Sequence, residues 1–509
     1  MSYQNTFNIF IIEILLIQLF QFINNFYALP FETIYIKDET INGTDYHSNL
    51  IQNELYVNLS MGTPQQEFKS VLKMDKYGFI IYENALDYSF SSSIENYDEE
   101  INIGWGFSYE YTPLKDHFYL PYFNSYEDFN NNKAKLNNIS KTNKITFLRI
   151  EPKNGTFYYF NKMFNEYGII GLKFNSNPYF NTPELVLNLK NIENINECSF
   201  SFKFENHLKN GFVDNNNKGY FIIGEDLTDD LNEKEEIQYS SCEIIGGELS
   251  WSLKFDNIYT KKGKLKNFIK FKSGVNTALI IVNYPYLIAP EEYFQYINKT
   301  FFNELIAKNI CSYNQFLRHE LFYYNLYSYS CDSKSKYFMG YLNNNFPDLV
   351  FEHKNLENNF TLTKNDLFAY NSFNDSDNKL HFLIMNYIDK AYNFNWYLGI
   401  PFLKKYRLSF NYDKKTIGYY KNDGKSIKRK DNEKKKNVFD SLIFKISLII
   451  ILIIIIFILG MIFQKNIKKT RKKKANELDD NYEYDTFAER DNDNKNEKNN
   501  EKLVKGIIN

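Results

Sequence analysis

The sequence lacks most of the motifs that mark common enzyme classes. It has six histidines in 509 residues and no Cys-x-x-Cys pair, so a zinc site has little support. It has no Gly-x-Ser-x-Gly segment to present a nucleophilic serine and no glycine-rich loop for a nucleotide. A formal net charge of −2 does not suggest a nucleic-acid binder. We therefore predict no metal, no cofactor and no nucleic-acid partner.

Glycine (21) and proline (11) are also scarce, whereas phenylalanine (47) and tyrosine (42) are abundant. A hydrophobic content of 43% over this length is sufficient for one or two substantial cores. The many aromatic residues and asparagines resemble the composition encoded by AT-rich genomes, such as those of apicomplexan parasites. This bias weakens any argument from residue propensity.

Apolar runs lie near both ends of the chain. The run over residues 7–26 stands where a secretory leader belongs. We interpret residues 1–29 as a signal peptide; an uncleaved anchor is the alternative, because the residues before Ala28 fit a cleavage site poorly. Residues 446–463 form a run of 18 residues without a charge, which is long enough to span a bilayer. We predict one transmembrane helix within residues 441–464, since a helix of a soluble domain keeps a polar face.

Basic residues flank the predicted transmembrane helix on both sides. Residues 425–436 and 465–474 each carry seven lysines or arginines, so the positive-inside rule gives no orientation. The signal peptide decides the orientation and predicts a single-pass type I membrane protein of a secretory organelle or the cell surface. The basic stalk, residues 426–440, could contact anionic lipid or glycans, with a solvated spacer as the alternative. Residues 465–509 have the composition of a disordered cytoplasmic tail.

Short motifs agree with this topology. Tyr484 and Phe487 fit a Tyr-x-x-apolar sorting pattern in the tail. Asn-x-Ser/Thr sequons occur in the predicted ectodomain at Asn42, Asn58, Asn138, Asn154, Asn298, Asn359 and Asn374. Both patterns also arise by chance in so asparagine-rich a chain, so they do not prove the topology. An even number of cysteines in a chain sent to an oxidising compartment predicts disulfides.

From Leu55 onward, short apolar runs alternate with Asn, Gly and Asp turns. This pattern is typical of an all-β body with many short strands. The segment before it, residues 30–47, is short and polar, and it contains nothing that could fold over and block a cleft.

Several segments of this body resemble the pepsin-like (A1) family of aspartic proteases, in the family's order and spacing. They are a strand with a Gly-Thr-Pro turn, the flap hairpin, a supporting Gly loop, the second catalytic loop and the closing strands, at residues 55–66, 101–107, 168–174, 278–290 and 396–419. The resemblance covers about residues 48 to 425. It implies an all-β bilobal fold with barrel-like lobes at residues 48–226 and 227–425, a pseudo-twofold axis and a central cleft.

The resemblance also implies roles for residues outside the catalytic loops. Cys311 and Cys331 lie in the second lobe, where pepsin-like proteins commonly carry a disulfide, so we pair them. This assignment leaves Cys198 to pair with Cys242. Ile103 stands at the position of the flap tyrosine.

Pepsin-like enzymes hydrolyse peptides with two aspartates that share a proton, each in an Asp-Thr/Ser-Gly turn. Aligned without gaps, the two turns correspond to Lys73-Met74-Asp75 and Ile281-Val282-Asn283. Neither acid, neither hydroxyl and neither glycine is kept, and the catalytic positions hold Lys73 and Ile281. Asp75 is the fallback acid, but the second loop has no carboxylate between Lys272 and Pro290 to perform the paired acid and base steps.

The altered loops leave two hypotheses for the cleft. In one, it recognises an extended peptide or an anionic group, since the positive charge of Lys73 must reach water or an acidic partner. In the other, it is closed and vestigial, and the outer surface binds. Ile281 and Val282 extend an apolar strand, which removes the cost of burying a carboxylate pair. We predict a non-catalytic binding, adhesion or scaffold protein with a protein or peptide ligand; an active membrane-bound aspartic endopeptidase is the alternative.

Overall fold

The computed structural model describes residues 26–35, 53–82, 85–96, 109–123, 139–152, 167–174, 184–192, 194–205, 208–209, 211–214, 216–224, 237–245, 248–269, 276–318, 324–356, 359–370, 378–387, 395–420 and 465–468. The chain divides into two compact units, residues 1–425 and 426–509. In the second unit, the described part is the helical turn 465–468.

The first unit is mostly β. Its strands in chain order are β1 (Phe26–Tyr35), β2 (Asn53–Met61), β3 (Gln66–Lys73), β4 (Phe79–Tyr82), β5 (Glu95–Asn96), β6 (Tyr109–Phe123), β7 (Ile139–Pro152), β8 (Tyr167–Gly171), β9 (Ser199–Phe204), β10 (Leu208–Lys209), β11 (Phe212–Asp214), β12 (Lys218–Ile223), β13 (Ile237–Ser241), β14 (Glu243–Ile245), β15 (Glu248–Ser250), β16 (Ser252–Lys254), β17 (Asn257–Lys262), β18 (Leu265–Phe268), β19 (Thr277–Ile280), β20 (Leu287–Ile288), β21 (Cys311–Arg318), β22 (Tyr324–Asp332), β23 (Asp348–Glu352), β24 (Phe360–Leu362), β25 (Phe368–Tyr370), β26 (Lys379–Phe382), β27 (Ile384–Tyr387), β28 (Trp396–Leu398), β29 (Leu408–Asn411) and β30 (Thr416–Tyr420).

Short helices connect these strands. They are α1 (Leu185–Asn191), α2 (Glu291–Ile297), α3 (Asn303–Ala307), α4 (Lys336–Asn345), α5 (Lys364–Leu367) and α6 (Ile400–Lys405), with a 3-10 turn at Tyr88–Phe90 and a π-helical turn at Asn298–Phe302. The longest, α4, begins at an N-cap serine, Ser335, whose side chain accepts from the Phe338 N–H, as N-cap residues commonly do.

The two largest sheets repeat one arrangement of six strands. The first contains the order β2-β3-β8-β4-β7-β6, and the second contains the order β16-β19-β28-β20-β27-β22. In both series the second and third strands are parallel and the third and fourth antiparallel. The fourth and fifth strands are parallel again, and the remaining pairs are antiparallel. The described residues therefore contain an internal structural repeat, as the sequence predicts.

Strands from both halves of the chain also share one sheet. Strand β9 pairs with β12 on one side and with β29 on the other, and β29 continues through β30 to β13. Aromatic side chains cover this junction: the ring centroids of Phe200 and Phe410 lie 4.9 Å apart, and those of Phe200 and Trp251 lie 5.5 Å apart. Burial of such large apolar surfaces stabilises the contact between the two halves.

Strand β1 lies inside the first sheet, between β12 and β2. Its first residues, Phe26–Leu29, are buried. The predicted boundary between the signal peptide and residue 30 falls within this strand, and cleavage near Ala28 would divide it. We therefore expect a leader that is removed to end before Phe26.

One predicted disulfide is confirmed and the other is wrong. Cys311 and Cys331 face each other across the β21–β22 hairpin and are bonded, whereas Cys198 and Cys242 are free. Cys198 precedes β9 and Cys242 follows β13, and both strands of the β29–β30 hairpin lie between them. Three inter-strand spacings place the two backbones about 14 Å apart, well beyond the Cα–Cα distance that a disulfide can bridge.

Other predicted features lie outside the described residues. They are the leader before residue 26, the flap position Ile103, the apolar run 446–463, and the short motifs at Asn42, Asn138, Asn154, Asn374, Tyr484 and Phe487. Among the helices that are described, none has the length and apolar character needed to cross a bilayer.

Candidate functional site

The two loops predicted from the sequence meet in the structure. One begins at Lys73, the last residue of β3, and continues with Met74 and Asp75; the other follows β19 and consists of residues 281–283. The Val282 N–H donates to Met74 Sδ at 3.3 Å, and Asn283 Nδ2 donates to Asp75 Oδ1 at 3.0 Å. Each contact joins residues at the same position of the two loops, so the repeat brings equivalent residues face to face.

A neighbouring strand holds each loop through a backbone hydrogen bond. The Leu172 N–H, directly after β8, donates to the Lys73 carbonyl oxygen at 2.7 Å. In the other half, the Ile281 N–H donates to the carbonyl oxygen of Leu398, the last residue of β28, at 3.0 Å. These bonds fix where each loop leaves its strand.

Glycines allow the supporting strands to approach the loops. A Cβ at Gly171 would lie 2.6 Å from the Gly78 carbonyl oxygen, and a Cβ at Gly399 would overlap the Tyr286 carbonyl oxygen. Any side chain at these two positions would force the backbones apart. This close approach explains the glycine in each of the two predicted supporting segments.

Lys73 does not offer its charge to a ligand, because Glu54 neutralises it. Its Nζ lies 2.6 Å from Glu54 Oε1, and the two side chains are 3% and 2% exposed. The β2–β3 register, which pairs Tyr56 with Val71, continues to place Glu54 directly opposite Lys73. The sequence motifs did not identify Glu54 as this partner, although the hairpin register around the Gly-Thr-Pro turn contained the signal.

The second loop contributes apolar groups and one amide. Ile281 and Val282 are buried, as is Asn283, whose Oδ1 has no hydrogen-bond partner among the described residues. Asp75 is half-buried and contacts a carboxamide where a proton-sharing pair would need a second carboxyl group. This arrangement can hold one carboxylate, but it does not supply an acid and a base that share a proton.

A polar cluster joins the two halves beside the loops. Tyr77 Oη donates to Glu248 Oε2 at 2.9 Å, and Lys173 Nζ lies 2.6 Å from the same oxygen. Tyr77 and Lys173 belong to the first half of the chain, and Glu248 to the second. The hydrogen bond from Lys173 lowers the pKa of Glu248 despite partial burial, which keeps this carboxylate ionised and paired.

Trp251 adds a second connection between the halves. Its Nε1 donates to the Leu172 carbonyl oxygen at 2.6 Å, and its ring centroid lies 3.7 Å from that of Phe174. The residue after the first supporting glycine is therefore bound both to its own loop and to the second half. This contact leaves little freedom for one loop to move without the other.

A serine–histidine pair elsewhere resembles a nucleophile with its base. Ser240 Oγ lies 3.1 Å from His353 Nε2. However, the Asn355 N–H donates to His353 Nδ1 at 3.2 Å, so Nδ1 carries no proton, and in the neutral ring Nε2–H must donate to Ser240. Burial lowers the pKa of His353 and keeps the ring neutral. A histidine that donates to the serine cannot remove its proton, so this pair is structural.

The two free cysteines are also unreactive. Burial raises the pKa of Cys198 to about 12 and that of Cys242 to about 12, so both stay protonated at neutral pH and are poor nucleophiles. No group of three or more histidine, cysteine or acidic side chains suited to a metal occurs in the described part of the chain.

The described sequons differ in accessibility. Asn58 is exposed on β2, whereas Asn298 and Asn359 are half-buried. The Asn359 Nδ2, the atom that would carry a glycan, donates to Tyr259 Oη at 3.3 Å. Of these three, Asn58 is the sequon best placed for glycosylation.

Comparison with known proteins gives no assignment. No protein-family model matches this chain, and no curated protein matches it either.

Proposed function

We propose that this chain is a catalytically inactive member of the pepsin-like aspartic protease family, acting as a non-catalytic binding, adhesion or scaffold protein. One observation carries the proposal: two loops meet at equivalent places of a repeated strand arrangement, and their catalytic positions hold Lys73 and Ile281. The order of the sequence motifs supports the family, and the loop residues argue against its chemistry.

Peptide hydrolysis by this family needs an ionised carboxylate to activate water and a protonated one for the carbonyl oxygen. Here the ammonium group of Lys73 is bound to Glu54, and Ile281 has no titratable group. Met74 and Val282 still tie the loops together, which is the task of the hydroxyl groups in active family members. The contact between the two loops is kept, whereas the two carboxyl groups that peptide hydrolysis needs are replaced.

The proposed location is a membrane of the secretory pathway or the cell surface, with residues 441–464 as the anchor. The uncharged run, the apolar leader and the sequons support this location. The Cys311–Cys331 disulfide fits a chain that passes through an oxidising compartment.

The first test is a cleavage assay. The purified chain is incubated with a diverse peptide mixture from pH 3 to pH 7, with and without a statine-type inhibitor, and the products are read by mass spectrometry. We expect no inhibitor-sensitive cleavage. Cleavage at acid pH that the inhibitor blocks would overturn the proposal.

A second test distinguishes the kinds of binding protein. A scaffold or escort subunit should retain one dominant partner in near-stoichiometric amounts after crosslinking and pull-down from native membranes. An adhesin should bind partner cells as the isolated protein. If neither experiment recovers a binding partner, the proposed role fails even though the protein remains inactive.

The alternative is an active endopeptidase with an unusual acid. The observation that favours it is Asp75, a carboxylate of the first loop that contacts Asn283 of the second. If cleavage is found, Asp75→Asn should abolish it, because Asn keeps the shape of the side chain and removes the acid. Activity that survives this substitution would come from another site or from a contaminant.

A further inference from the structure

The hairpin formed by β17 and β18 carries charge of one sign. Residues 257–269 contain four lysines and no aspartate or glutamate, although the whole chain has 60 basic and 62 acidic residues. The lysines are Lys261, Lys262, Lys264 and Lys266, and every side chain from residue 261 to 268 is exposed. The hairpin therefore presents a local positive surface on a chain that is close to neutral.

Two large apolar side chains lie among these lysines. Leu265 is 70% exposed and Phe268 is 58% exposed. Both belong to β18, the outer strand in the sheet order β18-β17-β23-β24. Phe268 packs against Tyr259, with 5.0 Å between the ring centroids, but more than half of Phe268 and most of Leu265 remain exposed, which points to a partner that covers them.

A structural role accounts for part of this pattern. Lysines on an edge strand discourage pairing with other chains, Lys262 Nζ donates to Asn345 Oδ1 at 2.9 Å, and Lys266 Nζ lies 4.8 Å from the centre of the Tyr259 ring. In the register of β17 with β23, Lys261 lies opposite Asp348, so neighbouring groups account for three of the four lysines. They do not explain Lys264 in the turn, Leu265, or the exposed part of Phe268.

We propose that the β17–β18 hairpin binds the surface of a bilayer that contains anionic lipid. Each lysine near such a surface strengthens binding by about fivefold. Leu265 and Phe268 favour a bilayer over a sulfated glycan or a nucleic acid, because only the bilayer offers hydrocarbon in which to bury them. The proposal does not depend on whether the protein cleaves peptides, but in the proposed type I orientation it requires anionic lipid on the side of a membrane that faces the ectodomain.

The test uses the full chain with lipid nanodiscs, one set of phosphatidylcholine alone and one with about a third phosphatidylserine. Amide hydrogen exchange is read by mass spectrometry over residues 257–269. We expect exchange to slow by at least about tenfold on the anionic discs, and far less on the neutral ones, because four lysines act together. Equal slowing of amide exchange on both kinds of disc would overturn the proposal.

Two variants separate charge from apolar contact. The first replaces three exposed lysines of the hairpin, as Lys262→Gln, Lys264→Gln and Lys266→Gln; its charge control replaces three exposed lysines elsewhere, as Lys299→Gln, Lys334→Gln and Lys336→Gln. The second variant, Leu265→Ser, leaves the charge unchanged. We expect the first variant to lose the slowing of amide exchange on anionic discs and the charge control to keep it. Leu265→Ser should reduce this slowing about tenfold.

Other outcomes count against the lipid surface. If heparin protects the hairpin as well as anionic discs do, and Leu265→Ser has no effect, the partner is a polyanion and the proposal is wrong. Equal loss of protection in the charge control would mean that net charge, and not this hairpin, governs binding. Because the substituted side chains are exposed, melting curves of the variants should match those of the parent chain.

Discussion

Replacing Lys73 with methionine tests the central finding at the candidate site. Methionine keeps much of the volume of the lysine stem but has no charge, so Glu54 would become a buried carboxylate without its ammonium partner. Removing one member of a buried ion pair costs about 3–5 kcal/mol. Because both side chains here are almost fully buried, we expect Lys73→Met to lower the free energy of unfolding by about that amount.

The double variant isolates the interaction. Replacing both members, as Glu54→Gln with Lys73→Met, removes both charges, and such replacements are often neutral or stabilising by about 1–4 kcal/mol. The double variant should therefore be more stable than Lys73→Met alone. With Glu54→Gln measured alone as the second single variant, the coupling energy between the two residues should exceed the range of about 0.2–1 kcal/mol found for exposed pairs.

The assay is urea unfolding followed by tryptophan fluorescence. Trp251 and Trp396 are buried and lie in the second half of the chain, and Trp251 also contacts the first half through Leu172. Lys308→Met is the control, since the Lys308–Glu304 pair is 45% and 49% exposed and its loss should leave the stability almost unchanged. A loss below about 1 kcal/mol for Lys73→Met, with no recovery in the double variant, would refute the reasoning.

Four further predictions follow from the same structure. Burial raises the pKa of Glu184 from 4.5 to about 8, so the folded chain keeps a proton there that the unfolded chain releases. The free energy of unfolding should therefore fall as pH rises from 4.5 to about 8. Urea unfolding at pH 5 and pH 8 should show a smaller difference for Glu184→Gln than for the parent chain. Burial lowers the pKa of His353 from 6.5, so stability should fall as pH drops below 6.5, and His353→Gln should remove this loss. Gly171→Ala should lower the free energy of unfolding by about 2 kcal/mol or more, because its Cβ meets backbone, and urea titration would show otherwise if the strand can shift. Sequencing of the mature protein should place its N-terminus before Phe26, since a start at residue 30 would remove buried residues of β1.

The loops and the repeat were predictable because their signals are local. A Gly-Thr-Pro turn and an apolar run such as 278–290 depend on residues next to each other in the chain, and equivalent motifs recur in both halves. The Cys311–Cys331 disulfide came from the family resemblance, and the hairpin register bears it out. The presence of a glycine in each supporting segment was also predictable, because each glycine lies in a short local motif.

Features that depend on the order of strands in a sheet were not predictable in this way. The pairing of Cys198 with Cys242 failed because the β29–β30 hairpin, from the far end of the chain, inserts between their strands. Strand β1 contains residues that look like the end of a leader in the sequence. In the structure it pairs with β12 on one side and with β2 on the other, inside the first sheet. Neither fact is contained in the local pattern.

The sequence alone determined which residues stand where the pepsin-like resemblance expects the two aspartates, and Lys73 and Ile281 cannot form a proton-sharing pair wherever they lie. Only the tertiary structure decided that the two loops meet and that Asp75 contacts Asn283. The physical reason is distance along the chain. Turn formation and the alternation of apolar and polar residues depend on neighbours in the chain. Contacts between residues about two hundred positions apart, such as Asp75 and Asn283, depend on how complete sheets pack.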